Sequence, residues 1–183
     1  EIPEKSLPLL SVFEELAKLA IVADDGTLVP YEDVVKQLKR DTIECHFGNS
    51  FNGRFKEFMS LYMVVKSQDY QKAIDWYLKL LLKTKFTKER VVVILNRLLK
   101  QLPDLKRSAG YMLNYLYNKH YYTDRSYLKS VEVIRNEDYL RNLLNRIEEE
   151  EFENIEKELN EIRESLFKLS NIRVLVFGDV NKL

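Results

Sequence analysis

Helical periodicity runs through most of the chain and restricts its fold more than any other feature. The clearest example is the segment from about 151 to 168, where apolar residues recur at alternating steps of three and four. The residues of this stripe are Phe152, Ile155, Leu159, Ile162, Leu166 and Leu169. The stripe covers only about two and a half heptads, which is too short for an independent coiled coil. It therefore predicts one helix that lies on a core.

Further helices are predicted along the rest of the chain from the same period and from start and stop signals. The predicted spans are about 6–22, 31–41, 69–83, 88–102, 104–120 and 137–147. Ser6, Thr87, Asp104 and Asn136 are candidate N-caps because their side chains can accept from free N–H groups of the first turn. Pro103 predicts the end of a helix because it lacks an N–H group.

A period of two residues indicates strands in two neighbouring segments, 43–47 and 55–66. The turn-forming residues 48–53 between them predict an antiparallel pair. The β-branched run 172–177 predicts a third strand. The fold class expected is helix-rich α+β, with a small, mostly antiparallel sheet packed by helices on one face.

We expect residues 1–183 to form a single α+β domain that is a fragment of a larger multidomain chain. Three strands make a small sheet with exposed edges, and exposed edges invite pairing. The sheet is therefore expected to be incomplete, with further strands supplied by sequence before residue 1 or by another chain.

The composition excludes several classes of protein. Lys+Arg and Asp+Glu both number 29, so no basic excess favours nucleic acid as a partner. No run of about 18 apolar residues occurs, so no membrane partner is expected. The single cysteine excludes an internal disulfide and favours an intracellular location, in the cytoplasm or in mitochondria.

Few residues are candidates for chemistry. The two histidines, His46 and His120, lie in neither H-E-x-x-H nor H-x-x-E-H, and no third ligand is visible beside Glu44 and His46. Cys45 and His46 are adjacent strand residues, so their side chains are expected on opposite faces and Cys45 is expected in the core. His120 is expected to be a cation at a helix C-terminus. We therefore predict no catalytic, cofactor-binding or metal-binding residue in this chain.

Three other patterns have structural interpretations. Gly48 and Gly53 have the spacing of a phosphate loop, but Arg54 and Phe55 follow instead of Lys and a hydroxyl residue. The tyrosine-rich stretch 111–127 mixes aromatic rings with cations that could stack nucleic acid bases, and core or interface packing is the alternative that the charge balance favours. The glutamates from 148 to 151 are expected to be solvated at a helix start.

The order of segments carries a resemblance to a known family. The matching pieces are residues 7–19, 25–26, 29–35, 55–65, 70–76, 85–90, 102–107 and 172–179. With these pieces the chain resembles an internal, non-catalytic stretch of the pitrilysin/insulysin-type zinc metallopeptidases, in the presequence-protease-like branch. The resemblance spans nearly the whole chain.

The resemblance implies a role as well as a fold. Members of that family have four homologous α+β domains in two halves that enclose a peptide chamber. Zinc is held in the first domain by an H-x-x-E-H helix and a distal Glu, and this chain has no such motif. It is similar to most of the third domain without its first strands, so its expected partners are other domains of the same polypeptide and an unfolded peptide substrate. The alternative is a free-standing helical protein-interaction module that binds a partner helix in an apolar groove.

Overall fold

Helices make up most of the structure, a computed structural model that describes residues 2–16, 21–23, 26–51, 54–149, 151–168 and 170–179. In chain order the helices are α1 (Leu10–Leu16), α2 (Tyr31–Asp41), α3 (Tyr70–Leu82), α4 (Lys88–Arg107), α5 (Ala109–Tyr121), α6 (Tyr127–Ser130), α7 (Glu137–Glu148) and α8 (Phe152–Leu166). Two 3-10 helices, Glu4–Leu9 and Ser67–Asp69, lead into α1 and α3. Within these ranges no helix has both the length and the apolar character needed to cross a membrane.

The strands form two small antiparallel ladders. The strands β1 (Ile21–Val22) and β2 (Leu28–Val29) pair with each other. The longer strands, β3 (Glu44–Phe51) and β4 (Arg54–Val64), form a hairpin in which His46 lies opposite Tyr62 and Phe47 opposite Leu61. The predicted helix-rich α+β class is therefore confirmed, with the strands divided between two ladders rather than joined in one sheet.

One face of the hairpin packs against helices, as the alternation of apolar and polar residues along its strands predicts. Cys45, Leu61 and Met63 pack against a small core that lies between α2, α3 and β1. The buried residues of this small core are Ile21, Val34, Leu38, Trp76 and Leu80. Trp76 adds a hydrogen bond from its indole N–H to Asp41, with 3.1 Å between Nε1 and Oδ2.

A large core is built from α1, α4, α7 and α8, with representative buried residues Phe13, Leu95, Leu143 and Leu159. The stripe predicted for 151–168 faces this core, apart from Leu169, which lies outside the described residues, and Leu159 is fully buried there. Complete burial of a leucine side chain contributes on the order of 2 kcal/mol. The apolar period therefore identified the helix faces that hold the molecule together.

Several predicted boundaries were wrong because tertiary packing overrides local signals. Pro103 does not end a helix: α4 continues through it to Arg107, and Leu102 beside it is buried in the large core. Asp104 is thus inside α4, and Ser108 is the N-cap of α5, accepting from the N–H of Tyr111 at 3.4 Å. Ser6 lies buried within the first 3-10 helix rather than at a cap.

The strand predictions also need correction. Ile21 and Val22 belong to β1 and not to the end of a helix, and residues 17–20 of that predicted helix lie outside the described residues. Gly48 is a residue of β3 and not of a turn, since β3 continues to Phe51. The run 172–177 has no regular secondary structure. A strand requires a ladder partner, which strand propensity alone does not provide.

Candidate functional site

The first candidates, Glu44 and His46, lie on the outer face of the hairpin. Both side chains are exposed, with Tyr62 opposite His46. Cys45 is half-buried and packs on the other face, against the small core. The chain therefore separates the thiol from the adjacent imidazole, and the two do not form a nucleophile–base pair directly.

Two polar side chains, one from β3 and one from α1, approach Gly48 of the hairpin. A Cβ atom on Gly48 would lie 3.0 Å from Nε2 of His46 and 3.6 Å from Oε1 of Glu14 on α1. The missing side chain of this buried glycine thus makes room for an imidazole and a carboxylate at the same place.

Glu57 of β4 joins the hairpin to α6. One carboxylate oxygen accepts from the hydroxyl of Ser126 at 2.5 Å, and the other accepts from the backbone N–H of Tyr127 at 2.7 Å. Tyr127 is the first residue of α6, so its N–H has no partner within the helix. A strand carboxylate therefore caps a helix that lies about 70 residues later in the chain.

Tyr127 contributes a buried phenol to the same region. Burial raises the pKa of its hydroxyl far above the usual value, and the negative charge of Glu14 raises it further. The phenol is consequently a neutral donor throughout the physiological pH range. We call Glu14, His46, Glu57, Ser126 and Tyr127 the hairpin cluster.

The residues of the hairpin cluster mainly hold neighbouring elements together. Both oxygens of Glu57 accept hydrogen bonds, and Tyr127 stays protonated. Glu14 and His46 provide a carboxylate and an imidazole beside Gly48. Glu57 thus links β4 to α6, and Glu14 of α1 lies near Gly48 of β3 and acts on the hydroxyl of Tyr127.

Two further polar contacts join distant parts of the chain. The Tyr111 hydroxyl of α5 donates to the buried carboxylate of Glu132 at 2.6 Å, and burial, then this hydrogen bond, raises the pKa of Tyr111 well above its usual range. Arg163 of α8 donates to the Thr84 carbonyl at 2.6 Å with its guanidinium near the Phe86 ring. Burial lowers the pKa of Arg163, but an arginine remains charged at neutral pH.

Arg163 also lines an open polar groove between α8 and β1. The Lys85–Glu156 pair, 2.5 Å apart, lies in this groove, together with Lys83 and Glu164. Cations and carboxylates alternate here, so the groove does not attract ligands of one sign.

The predicted solvated acidic run is found between α7 and α8, although residue 150 lies outside the described residues. Glu148, Glu149 and Glu151 are exposed. Arg146 pairs with Glu151 at 3.0 Å and with Glu158 at 3.4 Å. The pairs that Arg146 forms with Glu151 and Glu158 thus link α7 to α8.

The tyrosine-rich stretch forms an exposed face on α5. Leu113 is 71% exposed and Tyr121 is 75% exposed, with Leu116 and Tyr117 beside them. The rings of Tyr117 and Tyr121 stack with 4.4 Å between their centroids. We call these four residues the α5 face. His120, in the last turn of the same helix, is exposed.

The described residues do not fit a zinc site. No group of three His, Cys, Asp or Glu side chains lies close enough to hold a metal ion in the part of the chain that the structure covers. His46 and His120 lie on different elements, β3 and α5.

Three of the residues that define these contacts were not predicted from the sequence. Glu14, Glu57 and Arg163 are single charged residues without a motif, and each contacts groups on other elements. The spacing of α6 gives no sign that its cap comes from a strand. Only the position of Ser126 directly before the helix could have suggested a polar helix start.

Comparison with known proteins finds relatives along the whole chain. The uncharacterized protein C3H1.02c of Schizosaccharomyces pombe is 30% identical over 192 residues, which cover 100% of this chain and 18% of that protein. The uncharacterized protein YOL098C of Saccharomyces cerevisiae is 26% identical over 184 residues, which cover 97% of this chain and 18% of that protein. No protein-family model matches the chain, and no solved structure does. The chain thus spans about a fifth of the length of the curated relatives it matches.

Proposed function

We propose that this chain is a non-catalytic structural domain of a zinc metalloendopeptidase that resembles the presequence-protease branch. Its role is to form part of the wall of a chamber that encloses an unfolded peptide. The match of the chain to 18% of two much longer proteins supports its being one segment of a larger polypeptide, and the peptidase assignment rests on the resemblance in the order of its segments. A segment of this kind acts together with the rest of its polypeptide.

The side-chain chemistry supports a scaffold. Charged groups such as Glu57, Arg163 and Arg146 make contacts between elements. The apolar stripes of α4, α7 and α8 are used in the large core. A wall of this kind contributes through geometry, since it orients a peptide while bond cleavage takes place on another domain.

The test compares the 183-residue chain with the longer polypeptide that contains it. We expect about one equivalent of zinc and cleavage of an unfolded peptide in the longer protein, with neither in the 183-residue chain. Replacing the first histidine of an H-x-x-E-H motif in the longer protein is the control, and it should abolish cleavage. The proposal is wrong if the longer protein lacks that motif and zinc, or if the 183-residue chain itself holds zinc tightly.

The α5 face favours a second candidate function, a free-standing protein-interaction module. Exposed tyrosine side chains are typical of the centre of protein interfaces. Light scattering on the purified chain distinguishes the candidates. A stable monomer favours the module, and aggregation that added flanking sequence relieves favours the domain of a larger protein.

A further inference from the structure

The outer side of α5 lacks the charged residues that usually cover a surface helix. The α5 face supplies two leucines and two tyrosines, of which Leu113 and Tyr121 are the most exposed. By helical spacing Ala109, Gly110 and His120 lie on the same side, and all three are exposed. Since a surface helix normally turns polar residues to solvent, this side has the composition of an interface.

Gly110 has no packing role within the described part of the chain. A Cβ atom at this position would meet no atom there within 4 Å. Glycine in a helix is less favourable than alanine by about 0.5–1 kcal/mol, and no contact inside the fold requires it here. The small residue does leave room for a bulky side chain that approaches from outside.

The size of the side chains changes along the outer side of α5 and indicates which partner fits. The small residues Ala109 and Gly110 are at its beginning, and the stacked rings of Tyr117 and Tyr121 are at its end. Two identical helices fit when they run antiparallel, because the rings of each copy then lie over the small residues of the other. A parallel pair would place rings against rings and leave a gap between the small residues.

The charges beside this surface also favour a second copy. Asp104 has an exposed carboxylate next to the start of α5, since its carbonyl accepts from the N–H of Ser108 at 3.1 Å. Lys119 is exposed in the last turn of α5. Antiparallel pairing brings Lys119 of each copy to the end of α5 at which the other copy has Asp104, so opposite charges approach at both rims. The formal net charge of zero adds no long-range repulsion between two copies.

We propose that two copies of this chain associate through α5 as an antiparallel pair with two-fold symmetry. A contact between two helices of 13 residues is smaller than the standard interface of about 800 Å² per partner. The dissociation constant is therefore expected on the order of 100 μM, so the chain is a monomer at low micromolar concentration. The inference rests on the surface of α5 and not on the proposed peptidase role.

Sedimentation equilibrium of the 183-residue chain from about 10 μM to about 1 mM tests the association. The average mass should rise from that of one chain towards that of two. Leu113→Glu should raise the dissociation constant at least about tenfold, because pairing would bury two carboxylates. Leu78→Glu, the same change at a half-exposed leucine of α3, is the matched control and should leave the constant unchanged.

Spin labels test the antiparallel arrangement. Single cysteines replace Ala109, Asn114 or His120 in a Cys45→Ala background, and each carries one label. In the antiparallel pair, labels at 114 differ by only about 3 Å along the helix axis and labels at 109 by about 18 Å. The distance between copies should therefore be shortest at 114 and longer at both ends of α5.

Three results would overturn the proposal. They are a mass that stays at one chain up to about 1 mM, a Leu113→Glu protein that associates as strongly as the parent, and label distances that are equal at all three positions. The first would leave the α5 face to a different partner, such as another domain of a longer polypeptide. The third would show a parallel pair.

Discussion

Tyr139 on α7 shows at the scale of one residue how burial controls charge. Its hydroxyl is buried and has no hydrogen-bond partner in the described part of the chain. Burial, and then the nearby charge of Glu158, raises its pKa to about 12. The Tyr139 hydroxyl is therefore harder to ionise in the folded state than in the unfolded chain, where tyrosine has a pKa of about 10.

This difference predicts how stability depends on pH. The neutral Tyr139 hydroxyl contributes to the free energy of unfolding in full below about pH 10. This contribution is lost as the pH rises towards 12, which lowers the free energy of unfolding by roughly 2 kcal/mol. Tyr139→Phe should make the free energy of unfolding fall less steeply above about pH 10. At pH 7 the variant should be as stable as the parent or slightly more so, because it removes a buried hydroxyl without a partner.

Urea unfolding at a series of pH values measures both effects. Tyr121→Phe, a change at an exposed ring, is the matched control for the loss of one tyrosine. If the Tyr139→Phe protein loses stability with pH as steeply as the parent does, the buried phenol is not responsible.

At the scale of elements, Glu57 links the hairpin to α6 through two hydrogen bonds. Its carboxylate accepts from Ser126 and from the first N–H of a helix of only four residues. Such a short helix is unstable by itself because nucleation is costly. Its formation therefore depends on contacts such as this cap.

Glu57→Ala is expected to lower the free energy of unfolding by about 1 kcal/mol, since the N–H of Tyr127 and the hydroxyl of Ser126 lose their acceptor. Glu57→Gln should lose less, because the amide keeps one carbonyl oxygen. Lys56→Ala, at the neighbouring exposed position, is the control. Urea unfolding monitored by circular dichroism gives the three values, and equal stability of the alanine variant and the parent would contradict the capping role.

The elements differ in how well the sequence predicts them. Helix α2 was predicted at about 31–41 and is observed at Tyr31–Asp41, because Pro30 marks its start and Val34 and Leu38 form its buried side. Pro103 predicts the end of a helix from local sequence alone, but α4 continues through it. Leu102 beside it is buried in the large core. The run 172–177 was predicted as a strand from propensity, whereas ladders depend on a distant partner.

The candidate site was less predictable than the fold. His46 and His120 are exposed as predicted, and Cys45, predicted in the core, is half-buried against the small core. Glu14 and Glu57 could not be predicted because their contacts lie across the fold and leave no periodic signal in the sequence. Pairings between distant elements depend on how those elements pack.

On the scale of the whole molecule, the two cores differ in size. The large core joins four helices, whereas the small core has a few buried residues around Trp76. Phe13 and Phe86 from the large core and Leu80 from the small one line the same narrow cavity, so the two are in contact. Regions with fewer buried apolar contacts open at a lower free-energy cost.

Hydrogen exchange should therefore show faster opening of α2 than of α7. Val34→Ala, which truncates a fully buried residue of the small core, should accelerate exchange in α2 and leave the rates in α7 near those of the parent. Leu143→Ala, the corresponding change in the large core, should accelerate both helices. Equal acceleration of α2 and α7 by Val34→Ala would mean that the cores open as one unit.

The α5 face also affects how the purified chain behaves in solution. Because the formal net charge is zero near pH 7, long-range repulsion between molecules is weak there. Adhesive contacts through Leu113 and Tyr121 should then reduce the osmotic second virial coefficient at neutral pH. Buffers near about pH 4, where many carboxylates are protonated and the chain carries a net positive charge, should restore positive values and keep concentrated samples dispersed.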